Sequence, residues 1–207
     1  IEEQKKIKSI KKYIHITTPE VYGNTTKWTK ENFEFKPSTP YAVSRAACDF
    51  HLMSFYKNYN FPVIFTRAAN VYGPGQQLYR IIPKAIISAR LGKKINLHGG
   101  GTSKRSFIYI DDVVQGWERC LYNNEFPNQA YNLGSGVKTT VSSLIDSLIE
   151  VYGKTGKVKV EELGATPGDI MGCYADISKI SDQLGYVPEF TLEKGIEHFK
   201  EWANKEA

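Results

Sequence analysis

Two side chains with chemical potential, Tyr41 and Arg45, stand four residues apart in the run Ser38-Thr39-Pro40-Tyr41-Ala42-Val43-Ser44-Arg45. A phenol works as a base only as the phenolate, and a fixed cation beside it draws its pKa down from about 10. Residues four apart share one helix face, so the spacing permits such a pair. It equally suits an ordinary surface pair, and the two residues alone do not separate these readings. Thr39 as N-cap and Pro40 at the first helical position start the helix that would carry them.

The elements around this run alternate. Ile1 to Lys12 reads as the tail of an amphipathic helix, followed by a strand at Tyr13–Thr17 and a loop at Thr18–Gly23. The helix over Pro40–Tyr59 places Tyr41, Arg45, Cys48, Leu52, Phe55 and Tyr59 on one broad face. A second strand is expected at Pro62–Arg67, then a Gly/Pro/Asn loop at Ala68–Gln77 and a helix at Ile82–Leu91. Ile95–His98 and Ser106–Ile110 read as strands, and Asp111 as the cap of the following helix. A strand at Ala130–Leu133, a helix at Val141–Tyr152, a strand at Lys157–Leu163 and two short helices capped by Asp176 and Thr191 complete the chain. This alternation predicts an α/β fold with a largely parallel sheet. The loops after the first two strands hold the unusual residues, at the sheet end where open α/β folds bind ligands.

Composition narrows the function. The 207 residues suffice for one core, and the net charge of +5 is spread along the chain. That balance suits an anionic small molecule; no basic run interleaved with aromatics points to nucleic acid. Cys48, Cys120 and Cys173 are odd in number and far apart, which argues against a disulfide framework or zinc and fits a reducing, cytoplasmic compartment. No apolar run approaches the ~20 residues of a membrane span, and no signal peptide is visible.

Several motifs occur in a telling order: Thr17-Thr18-Pro19-Glu20-Val21-Tyr22-Gly23, Tyr41-Ala42-Val43-Ser44-Arg45, Arg67-Ala68-Ala69-Asn70-Val71-Tyr72-Gly73-Pro74-Gly75 and Arg105-Ser106-Phe107-Ile108-Tyr109-Ile110-Asp111-Asp112. Asn132-Leu133-Gly134-Ser135, Pro167-Gly168-Asp169 through Tyr174-Ala175-Asp176, and Leu184-Gly185-Tyr186-Val187-Pro188 follow. Together they resemble the nucleotide-sugar epimerase/dehydratase group of the extended short-chain dehydrogenase/reductases, across nearly the whole chain. The resemblance implies a Rossmann-type doubly wound parallel sheet. Residues 1–75 would be the C-terminal part of the NAD-binding domain, and 76–207 mainly a smaller α/β substrate-binding region with some segments returning to the sheet.

It also implies roles. Tyr41 matches the base that takes the sugar O4 proton as hydride leaves C4 for NAD (or NADP), and Thr18 matches the hydrogen-bond partner of O4. Arg45 falls where the family has a lysine, close to both Tyr and cofactor; Arg keeps the charge but not the shape of an ammonium. Asn70 matches a substrate contact and Arg105 a cation for the nucleotide diphosphate, for which a forked donor is apt. Glu20 matches the base that acts at C5 in 4,6-dehydratases, but Pro19 stands where those enzymes have an acidic residue, and Pro donates no proton. No metal role is implied.

The reading at this point is an NAD(P)-dependent enzyme working on a nucleotide-diphosphate sugar through a 4-keto-hexose, a 4,6-dehydratase first, with 4-epimerase, decarboxylase and a non-catalytic nucleotide-sugar binder as alternatives. The Gly-rich turn that grips the NAD pyrophosphate finds no match, since Gly99-Gly100-Gly101 precedes a strand. The chain therefore resembles the C-terminal two-thirds of such an enzyme. Alone it is expected to turn over little, to expose one sheet edge, and to derive from a homodimeric parent.

Overall fold

A computed structural model describes residues 9–126, 128–153, 160–164 and 171–205. The charged segment before Ser9 and the Pro167-Gly168-Asp169 motif lie outside them. The central sheet has the order β1-β2-β7, all parallel: β1 (Tyr13–Thr17), β2 (Val63–Ala68) and β7 (Ala130–Leu133). Thr17 faces Arg67 in one ladder and Arg67 faces Asn132 in the next. β2 is buried along its whole length. A central parallel strand is covered on both faces, so Val63, Ile64 and Phe65 run on without alternation and even Thr66 and Arg67 are buried.

Immediately after β2 the chain changes partners. Ala69 N–H still donates to Leu133 of the central sheet, whereas Asn70 N–H donates to Ser106. A short strand β3 (Asn70–Tyr72) then pairs in parallel with β6 (Phe107–Tyr109). This places a strand inside the segment expected to be a loop. Three residues are too few to show alternation. Further ladders join β4 (Ile95–His98) to β9 (Val160–Leu163), and β5 (Lys104–Arg105) to β8 (Thr139–Thr140) and β10 (Gly172–Cys173).

Helix α1 (Pro40–Tyr59) begins as its sequence dictates: Thr39 Oγ1 accepts from Ala42 N–H at 3.1 Å, with Pro40 next. It ends on Asn60 in the left-handed region (φ 51°). Its buried positions are Ala42, Ala46, Asp49 and Leu52, whereas Tyr41, Val43, Phe50 and Tyr59 are half or more exposed. The broad face through Tyr41, Cys48 and Tyr59 is thus not the packed one; small residues bring the helix close to the sheet.

Helices α2 (Ile81–Arg90), α3 (Ile110–Tyr122), α4 (Val141–Val151), α5 (Ser178–Leu184) and α6 (Leu192–Lys205) complete the chain. α3 starts two residues earlier than expected, with Tyr109 rather than Asp111 at the cap position. The neighbouring Asp112 instead turns back, and its carboxylate accepts from Glu189 N–H (2.7 Å) and Phe190 N–H (3.2 Å). Thr191 accepts from Lys194 N–H at 3.2 Å as expected of a cap, whereas Ile177, not Asp176, holds the cap position of α5; Asp176 stands one residue before it and accepts from Ser178 N–H at 2.8 Å. One large cluster packs α2, α4 and α6 around Ile95, Leu97 and Tyr109; a second packs α3 on the central sheet.

The two outer edges of the central sheet differ. On β7, Glu31 accepts from Asn132 N–H (2.8 Å), and Asn132 Nδ2 donates to the carbonyls of Thr29 and Asp176 (3.0 Å each), closing the edge. On β1, no further strand pairs among the described residues. Tyr13 and Ile16 are 39% and 49% exposed there. No described helix is long and apolar enough to cross a membrane.

Candidate active site

Parallel strands end at the same side of a sheet, and here the ends of β1 and β2 open into a cavity of about 740 Å³. Its wall includes Thr18, Glu20, Tyr41 and Asn70, which come from three separate segments. Thr18 follows the strand and caps a 3-10 turn, Pro19–Tyr22: its Oγ1 accepts from Glu20 N–H at 3.2 Å. Its hydroxyl hydrogen remains to be donated. Gly23 closes the turn at φ 77°, and a Cβ there would lie 2.2 Å from the Lys36 carbonyl oxygen, so only glycine fits. Tyr41 reaches the cavity from the first turn of α1 and is 55% exposed. Asn70 sits where the chain changes sheets.

The other two expected site residues do not line this cavity. Arg45 turns its guanidinium to the carbonyl of Ile16 on the open edge of β1. Arg105 lies opposite Cys173 in the β5–β10 ladder and donates to the Lys104 carbonyl at 3.0 Å. Cys173 does face the cavity. Burial pushes its thiol up to about 12; the charge of Glu20 adds to this and that of Arg105 opposes it. Glu20, Cys173 and Arg105 are thus electrostatic neighbours, so Arg105 stands just behind the wall.

Behind the 3-10 turn lies a buried network centred on Arg67, which is fully buried. One guanidinium nitrogen donates to Tyr22 Oη (2.7 Å) and the Asn32 carbonyl (2.8 Å), and the other to Asp49 (3.3 Å). The rings of Tyr22, Phe33 and Phe35 lie about it with centroids 5.1, 4.7 and 4.9 Å away. Tyr22 Oη in turn donates to Asn132 Oδ1 at 2.9 Å, and burial raises its pKa to about 12. The turn bearing Glu20 is therefore tied to β2 and α1 through one cation and to β7 through Tyr22.

Sequence reasoning missed part of the wall. Gln76, Gln77, Tyr79 and Arg80 reach it from the segment before α2, and Trp117 from α3. Arg80 is the N-cap of α2, so a cation and a helix N-terminus coincide at the cavity. The Arg-Ile-Ile-Pro sequence at the helix start, with Pro83 inside it, was the available signal. Trp117 had none, because a helix residue's direction depends on packing that spacing alone does not fix. Among the described residues no cluster of three His, Cys, Asp or Glu side chains is arranged to hold a metal.

A family model described as GDP-mannose 4,6 dehydratase matches residues 1–199. The chain belongs to this epimerase/dehydratase family of extended short-chain dehydrogenase/reductases. Among curated relatives of the family, mouse dTDP-D-glucose 4,6-dehydratase is 33% identical over 202 residues, 95% of this chain and 56% of that protein. A solved structure of UDP-glucuronic acid 4-epimerase from Bacillus cereus, in complex with UDP-glucuronic acid and NAD, superposes with a TM-score of 0.93 at 28% identity. It covers 100% of this chain and 65% of the epimerase. The NAD complex of dTDP-glucose 4,6-dehydratase from Bacillus anthracis gives 0.89 at 29% identity, covering 99% of this chain and 65% of that one. The chain therefore spans less than two thirds of these family members.

Proposed function

We propose that the intact protein is an NAD-dependent nucleotide-sugar 4,6-dehydratase acting through a 4-keto-hexose. The observation that carries this reading is the convergence of Thr18, Glu20, Tyr41 and Asn70 on one cavity. Tyr41 takes the proton from the sugar O4, and Thr18 holds O4 with the hydroxyl hydrogen its own cap leaves over. NAD, when bound, would supply the hydride acceptor for C4, with Thr18 and Tyr41 as the residues beside it. Glu20 then removes the proton at C5, which the C4 ketone has made acidic; the C6 hydroxyl leaves as water with a proton from solvent, and return of the hydride to C6 with a proton to C5 would leave the cofactor oxidised, for a net loss of one water. Asn70 orients the sugar, and Arg80 and Arg105 balance the diphosphate. Arg45 adds positive charge on the Tyr41 side of the strand.

A second reading draws support from Pro19. It lines the cavity beside Glu20 and has no proton to give a leaving hydroxide. That favours 4-epimerisation or decarboxylation, neither of which needs an acid there, as does the likeness to the Bacillus cereus epimerase. A cytoplasmic homodimer belongs to the same proposal: α1 carries exposed Val43 and Phe50, seven residues apart on one face, an apolar surface of the kind a second copy covers.

Mass spectrometry of the intact protein with NAD and dTDP-, UDP- or GDP-hexoses separates these readings. Loss of one water is expected. An unchanged mass with inverted C4 by NMR would replace dehydratase by epimerase, and loss of carbon dioxide from a uronic acid would replace it by decarboxylase. Tyr41→Phe is expected to lower kcat by about 10²–10⁴-fold with little change in nucleotide-sugar affinity.

A further inference from the structure

Thr17, the last residue of β1, stands opposite Arg67 in the ladder and is only 6% exposed. It lines the cavity, yet its buried Oγ1 has no hydrogen-bond partner among the described residues. The hydroxyls around it are engaged. Thr18 Oγ1 accepts from Glu20 N–H. Thr66 Oγ1 donates to the His15 carbonyl at 3.3 Å and accepts from Trp117 Nε1 at 3.2 Å. Tyr22 Oη is bonded on both sides. A buried hydroxyl without a partner costs its desolvation and returns nothing to the fold. Valine has the same shape and an equal taste for strands, so packing alone does not ask for threonine here.

We propose that Thr17 is a ligand-binding residue, its hydroxyl bonding a neutral polar group of the molecule that fills the cavity: a sugar hydroxyl or the carboxamide of a nicotinamide. The neutral class follows from the surroundings. The cation in register with Thr17, Arg67, is spent on Asp49, Tyr22 and Asn32, leaving nothing there to balance a phosphate. This inference rests on the reading that the cavity takes a nucleotide sugar beside NAD.

The test uses the intact protein as wild type, Thr17→Val and Thr17→Ser. Each is titrated calorimetrically with a nucleotide sugar, with the matching nucleoside diphosphate lacking the sugar, and with NAD; each is also melted without ligand. Thr17→Val is expected to melt no lower than wild type, because it removes an unpaired hydroxyl. It is expected to lose about 3–10-fold in affinity for the nucleotide sugar, for NAD or for both, and none for the nucleoside diphosphate. Thr17→Ser is expected to restore the loss. A loss confined to the nucleotide sugar assigns a sugar hydroxyl, and one confined to NAD assigns the carboxamide. Unchanged affinity for both ligands overturns the proposal, as does a lower melting temperature for Thr17→Val. An equal loss for the bare nucleoside diphosphate also overturns it. A wild type that binds neither ligand overturns the functional reading and this proposal together.

Discussion

Arg45, one helical turn beyond Tyr41, gives its guanidinium to the main-chain carbonyl of Ile16 at the open edge of β1. An edge carbonyl without a strand partner must find water or a donor. The arginine therefore anchors the start of α1 to the strand that carries Thr17 and Thr18. Arg45→Met is expected to lower stability by about 1 kcal/mol in urea unfolding. Arg45→Lys has a shorter, single-headed reach. It is expected to recover less than half of that loss.

The Arg67 network makes a sharper demand. Asp49 and Arg67 are both 0% exposed. Removing Asp49 leaves the guanidinium buried without a carboxylate, and removing Arg67 leaves Asp49 buried with only His15 Nε2, 3.3 Å away, beside it. Arg67→Met is expected to cost about 3–5 kcal/mol, and adding Asp49→Asn to return part of it. Equilibrium denaturation of the two single variants and the double variant measures the coupling.

Glu31 gives a pH signature. Burial raises its pKa above the usual carboxylate value, against the hydrogen bond from Asn132. A raised folded pKa means that the stability linked to protonated Glu31 is fully present below the unfolded pKa. That stability is lost as pH rises through the folded one. Glu31→Gln does not titrate and keeps an oxygen for Asn132 N–H. Its melting temperature relative to wild type is therefore expected to be higher at pH 7 than at pH 4. A difference that is flat with pH, or that falls, would contradict the burial of this carboxylate.

A close approach ties the cavity to the C-terminal helix. A Cβ on Gly195 of α6 would lie 2.0 Å from Tyr72 Oη and 2.8 Å from its Cζ. Tyr72 lines the cavity and donates from Oη to the Leu192 carbonyl at 3.2 Å. Gly195→Ala is expected to destabilise by about 1–3 kcal/mol. Tyr72→Leu in the same chain is expected to relieve part of this, as read by thermal melts.

The sequence exposed what is local and what is ordered along the chain. Thr39, Pro40 and Thr191 announce helix starts because a cap is chemistry within three residues. The motif order announces the family and brings Thr18, Glu20, Tyr41 and Asn70 into one frame. What stayed hidden depends on contacts across the fold. Asp111 and Asp112 look alike in sequence, and only the approach of the 189–190 segment makes Asp112 the buried acceptor. The packed face of α1 runs through Ala42, Ala46 and Asp49, which a reading weighted to large apolar residues passes over. Arg67, in the middle of a buried strand, looked like a motif letter; its partners Tyr22, Asn32 and Asp49 come from three other segments.

The burial of Arg67 also sets an order of events during folding. Tyr22 and Asn132, which meet beside it, are 110 residues apart in sequence. The guanidinium cannot leave water profitably until Asp49 on α1, the aromatic segment around Phe33 and Phe35, and the last strand of the central sheet have all arrived. A contact so distant forms late and slows the search. On the ribosome, the turn that carries Glu20 is synthesised early but gains its rigid seat only after β7 has emerged. The first segment of the candidate site to be made is then among the last to be fixed.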